Sequence, residues 1–176
     1  MAKRKTKSSF YHADGKRIDL TRDAEVVAVD VVRFHDHSGD AQTMKFVELN
    51  GQPVGNGFVL LKRDQLTDAM YEHLQQPGIT QPVFERDGIK VIALPELRVE
   101  VDSVAKLSKV VQFVINRTHP IRDDPSNGRL SISPLSDDGQ DALDLANDIF
   151  KQFAPISVSP RFVQIVPGPT IRIPKK

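Results

Sequence analysis

Cysteine is absent from the 176 residues, so neither disulfides nor thiolate metal sites can hold this fold. Tryptophan is absent too, and the two tyrosines leave phenylalanine, with nine copies, as the main aromatic. No apolar run approaches the ~18 to 20 residues that span a bilayer. The opening, Met1 to Phe10, is charged with no apolar stretch behind it, which argues against a secretory signal. These absences together predict a cytoplasmic chain with no membrane partner. What is present suits a packed core: 39% of residues are hydrophobic and the mean hydropathy is -0.31.

Net charge of one sign is also scarce, at +1, but its distribution is uneven. Lys3, Arg4, Lys5 and Lys7 form a basic start, and Arg172, Lys175 and Lys176 a basic end. Setting those seven aside from the 24 Lys and Arg leaves 17 against 23 acidic residues. A body of that sign repels phosphate, so nucleic acid is not an expected partner. Residues 1–9 read as a disordered basic arm.

The remainder reads as two related halves, 10–86 and 87–166. Tyr11-His-Ala-Asp14-Gly15 followed by an alternating run resembles Phe84-Glu-Arg-Asp87-Gly88 followed by another. Asp-Gly is a strong turn signal because glycine accepts positive φ without a Cβ clash. A strand pattern follows each: Glu25 to Asp30 in one, Leu97 to Asp102 in the other, where Leu97, Val99 and Val101 alternate with Arg98 and Glu100. Next come a short apolar strand, a helix and a further strand. Leu66, Met70 and Leu74, with Asp64 as cap, match Leu145, Ile149 and Phe153 at the i, i+4, i+8 spacing of one helix face. Pro82-Val-Phe84 and Pro160-Arg-Phe162 close the two patterns.

This order predicts an α+β protein of two ferredoxin-like, βαβ-type helix-on-sheet halves. Ser103 to Val114 reads as a further helix in the second half, with Val104, Leu107 and Val111 on one side, although its β-branched residues also suit a strand. The first half shows no counterpart: Phe34 to Thr43 reads as loop and Met44 to Asn50 as a strand, Phe46 to Asn50 pairing with Phe58 to Lys62, which makes it the reduced one. His119 to Gly128 reads as an exposed connector. Three prolines between Pro167 and Lys176 predict an extended tail.

No constellation of catalytic residues emerges. There is no Gly-x-Ser-x-Gly, no P-loop and no dinucleotide fingerprint, and the Asp123-Asp124 and Asp137-Asp138 pairs suit solvation and capping. His35-Asp36-His37 with Asp40 is the nearest approach to a metal cluster, but Ser38-Gly39 marks it as a loop and no third histidine is nearby. Neither enzymatic activity, a metal nor a cofactor is expected.

Two stretches resemble a known family. Tyr11 to Asp30, with its aromatic, Asp-Gly and Glu25-Val-Val-Ala-Val29 order, is similar to N-terminal regions of bacterial subtilisin-like serine proteases. Ala142-Leu143-x-Leu145-Ala146-Asn147 followed by Pro155 to Gln164 resembles the pro-domain pattern of helix, strand and Pro-x-Phe. The resemblance runs from Tyr11 to Asp30 and from Leu60 to Val166, with gaps. It implies a ferredoxin-like domain whose sheet docks on a protease, whose final segment enters the substrate cleft, and which acts as inhibitor and folding chaperone. The 176 residues depart from the family in their doubled plan and in lacking the Gly-Thr-Ser-Met-Ala serine motif. The expected activity is therefore protein binding, with a subtilisin-like serine protease as the partner the resemblance implies. Phe162, Gln164, Ile165, Val166, Pro167 and Pro169 are its expected contact residues, by strand addition. A structural or assembly subunit of a larger phage or defence complex is the alternative.

Overall fold

Residues 8–13, 15–37, 40–124 and 127–166 are described by the computed structural model of the chain. Most of the basic arm, Asp14, Ser38-Gly39 and the tail 167–176 lie outside them.

The chain begins with a hairpin, β1 (Ser8–Ala13) and β2 (Lys16–Arg22), turning at Gly15 with φ 71°. Ser8 and Ser9, expected in the arm, belong to β1; Ser9 is buried, and its hydroxyl reaches Gln140 at 3.2 Å. There follow β3 (Val26–Asp30), α1 (Val31–His37), α2 (Ala41–Asn50), β4 (Gln52–Gly55), β5 (Phe58–Lys62), a 3-10 turn at Arg63–Gln65 and α3 (Asp68–Leu74). The order continues with β6 (Thr80–Gln81), β7 (Val83–Arg86), β8 (Ile89–Glu100), α4 (Val104–Val114), β9 (Arg122–Asp124), β10 (Arg129–Ile132), α5 (Gly139–Phe153) and β11 (Ser157–Gln164).

The first half is not reduced. Two helices stand where a loop and a strand were expected, because Asp40 caps α2 by accepting from the Thr43 N–H at 3.1 Å. Once helical, Thr43 and Val47, four residues apart, share one buried face. The hairpin to β5 does turn at Gly55-Asn56-Gly57, but its other arm is Gln52–Gly55. Helix α3 starts later than Asp64, with Thr67 as cap, so Leu66 precedes it. In α4 the buried face is Leu107, Val110 and Val114, whereas Val104 is exposed. The expected connector contains β9, which pairs with β10.

Every strand pairing among the described residues is antiparallel. Strands β5 and β6 flank β3, and β10 and β11 flank β8, so each helix crossover joins parallel strands separated by a third. One sheet runs β4-β5-β3-β6; the other carries β9-β10-β8-β11 as the same order one unit later. The second sheet also continues through β7 and β2 to β1. The boundary read between 86 and 87 falls in the Asp87-Gly88 turn of the β7–β8 hairpin. Strand β8 makes this double use possible. Its first part pairs with β7 and its last part with β10, and Pro95, which has no N–H to donate, sits in the unpaired gap between them.

Each sheet buries one face under helices. Val27, Val29 and Leu61 meet Phe34 of α1, Val47 of α2 and Leu74 of α3. Leu97, Val99, Leu130, Ile132 and Val158 meet α4 and α5. The first sheet's other face (Ala28, Phe58, Val26, Leu60) packs on Val83, Ile92, Val163 and Ile165, joining the sheets. The curl of β1, β2, β7, β8 and β11 encloses Tyr11, Leu20, Phe84 and Val91 under Leu143. Among the described residues no helix is long and apolar enough to cross a membrane.

The α2 cap carries a pH signature. The Thr43 hydroxyl donates to the Asp40 carboxylate and, with the Thr43 N–H and nearby His73, holds it below the usual carboxylate range. A depressed folded pKa stabilises above the unfolded pKa and is lost as pH falls through the folded one. Asp40→Asn keeps a good cap but removes the charge. Its melting temperature should lie below the parent's at neutral pH, and the two should converge as the medium is acidified below the carboxylate range. A gap independent of pH would contradict this.

Candidate functional site

Strands bury alternate residues, so a sheet covered on one side by helices presents its other parity outward. In β8 the outward residues are Glu96, Arg98 and Glu100, between buried Leu97, Val99 and Val101. Register extends this across the sheet. Arg98 lies opposite Ser131 of β10 and opposite Ser159 of β11, and Ser131 lies opposite Arg122 of β9. Glu100 lies between Arg129 and Ser157. The corresponding face of the first sheet is apolar and covered. That of the second is polar and uncovered, and it forms a shallow depression of about 570 Å³ whose lining includes Arg98, Glu100, Arg122, Arg129, Ser131 and Ser159.

The charges on this face divide into paired and unpaired groups. Glu96 receives the Arg161 guanidinium at 2.8 Å and the Ser131 hydroxyl at 3.0 Å. Glu100 and Arg129 form a loose pair at 3.7 Å. Arg98 and Arg122 have no acidic partner among the described residues. Among the described residues no aromatic ring stands on the face, which gives bases no platform there on which to stack.

The expected contact residues separate in the structure. Phe162 lies against the Tyr11 ring, centroids 5.1 Å apart, and Ile165 is buried between the sheets, so both serve the chain's own core. Gln164 and Val166 are exposed at the end of β11. Pro167 and Pro169 lie outside the described residues. Strand β11 hydrogen-bonds only to β8 among the described residues, which leaves the outer edge of Ser157–Pro160 open. Strand addition is thus available at the start of β11, upstream of the stretch expected.

His35 and His37 end α1, where i, i+2 residues point to different faces, and the His37 ring lies 2.9 Å from the Arg33 carbonyl. Among the described residues no group of three or more His, Asp or Glu side chains converges as a metal site would need. The Arg98 row was missed because only pairing register reveals it; the alternation of Arg98 with Leu97 and Val99 was its one visible sign. No family model matches the chain, and no curated protein or solved structure is detectably similar to it.

Proposed function

We propose that this protein is a non-catalytic protein-binding module, two ferredoxin-like units arisen by duplication, that acts as a pro-domain-like inhibitor and chaperone of a subtilisin-like serine protease. The observation that carries the reading is the uncovered face of the second sheet, backed by helices, beside a strand β11 whose edge is open and whose end leads to the tail. A partner resting on that face could pair with β11 and receive the tail in a groove, the geometry of strand addition.

Duplication is supported by the shared strand order and by two further correspondences. Both units open on a hairpin, at Gly15 and at Asp87-Gly88. In both, the Pro-x-Phe segment runs antiparallel to the strand leaving that hairpin: Phe84 opposite Arg22 of β2, and Phe162 opposite Ala93 of β8.

Mixing the purified chain with a purified subtilisin-like protease and following peptide hydrolysis tests the reading. Stoichiometric inhibition is the expected result. Deleting residues 167–176 should leave the melting temperature nearly unchanged and weaken inhibition at least tenfold, about 1.4 kcal/mol. Absence of both inhibition and a stable complex with the protease would overturn the proposal.

A further inference from the structure

We propose that Arg98 and Arg122 on the open sheet face bind carboxylates of an acidic peptide segment belonging to the docked protein. The inference rests on the protein-binding reading above and adds the chemistry of what lands there.

Four strands bring Arg122, Ser131, Arg98 and Ser159 into one row. With strands spaced ~4.8 Å, the two arginine backbones are about 10 Å apart. The serines between and beside them are short, so each guanidinium is approachable from the depression above. Their hydroxyls are already engaged, Ser131 donating to Glu96 at 3.0 Å and Ser159 to the Pro160 carbonyl at 3.3 Å. Within that row the donors left for a ligand are the two guanidiniums. Among the described side chains the neighbouring carboxylates are engaged elsewhere: Glu96 is held by Arg161, and Glu100 faces Arg129.

Two separated planar forks suit two carboxylates, each taken bidentately, rather than one small anion held at a point. An extended peptide with acidic residues three apart spans ~9 Å, which matches the separation. A nucleic-acid backbone suits the face poorly. It carries phosphate continuously and would cross Glu96 and Glu100, and among the described residues no ring on the face can stack a base.

The test is fluorescence anisotropy of a short labelled peptide with spaced glutamates, titrated with the full chain. A peptide with glutamine at those positions, inorganic phosphate and a single-stranded oligonucleotide serve as competitors. Binding of the glutamate peptide alone is expected, weakening as ionic strength rises. Arg98→Ala and Arg122→Ala should each weaken it at least ~fivefold, while Lys45→Ala, on exposed α2 surface, leaves it unchanged. Circular dichroism of each variant establishes that it is folded. Equal binding of the glutamine peptide, an unaffected double variant, or stronger competition by phosphate or oligonucleotide would overturn the inference. A chain that inhibits protease but ignores acidic peptide sinks this inference alone. One that binds the peptide through Arg98 but neither inhibits nor binds protease sinks only the protease reading.

Discussion

Replacing Gly139 with alanine is expected to destabilise the chain by more than ~3 kcal/mol, above the usual range for overpacking. Gly139 opens α5 where the helix crosses β8, and an added Cβ would stand 2.0 Å from the Ala93 carbonyl oxygen. That oxygen cannot rotate aside. Ala93 lies opposite Phe162 of β11, and its N–H is bonded to the Pro82 carbonyl at 3.1 Å. Relief would require lifting the start of α5, which carries buried Ala142, Leu143 and Leu145. Helix propensity alone predicts the opposite sign, since alanine in a helix is favoured over glycine by ~1 kcal/mol. Urea unfolding thus decides between crowding and propensity: a Gly139→Ala chain as stable as the parent would mean that α5 does not approach β8 so closely. Gly88→Ala makes a useful contrast. Nothing lies within 4 Å of its Cβ position, and only its φ of +79° resists, so a loss of ~1 to 2 kcal/mol is expected there.

The sequence revealed elements wherever one local signal dominated. The Asp87-Gly88 turn, the alternation through Val101 and the apolar face of Leu145 and Ile149 each had a single physical reading, and the chain is α+β as those signals predicted. Met44 to Asn50 did not. Its apolar residues satisfy a strand period locally, and the decision rests on the Asp40 cap and on the core that Val47 reaches. The packing of Phe162 and Ile165 was hidden for another reason. Alternation separates the two faces of a strand but does not reveal that both are packed, Phe162 half-buried beside Tyr11 and Ile165 buried between the sheets. The open arginine row depends on residues from four strands falling opposite one another, a consequence of register that no local window contains.

The same interdependence makes loss of the Gln81 side chain costly, ~3 to 6 kcal/mol on replacement by alanine. Gln81 is 2% exposed in β6, in the four-stranded sheet, yet its hydrogen bonds reach the start of α5, which packs on the other sheet. Its carbonyl oxygen accepts from the Gly139 N–H at 2.9 Å, and its amide donates to the Asp137 carbonyl at 2.9 Å. Both partners are backbone groups at the start of α5. Asp138, the helix cap, is occupied with the Gln140 N–H at 2.6 Å and cannot replace it. Gln81→Ala therefore strands a donor and an acceptor, each worth ~1 to 3 kcal/mol, and leaves a cavity as well. Gln81→Leu fills the cavity without the bonds, so a loss that persists in it belongs to the polar groups. A double-mutant cycle with Gly139→Ala supplies the decisive measurement. The two side-chain positions share the Gly139 N–H, so their losses should fall short of additivity by ~0.5 to 3 kcal/mol. Strict additivity, or a Gln81→Leu chain as stable as the parent, would mean that Gln81 does not tie the four-stranded sheet to α5.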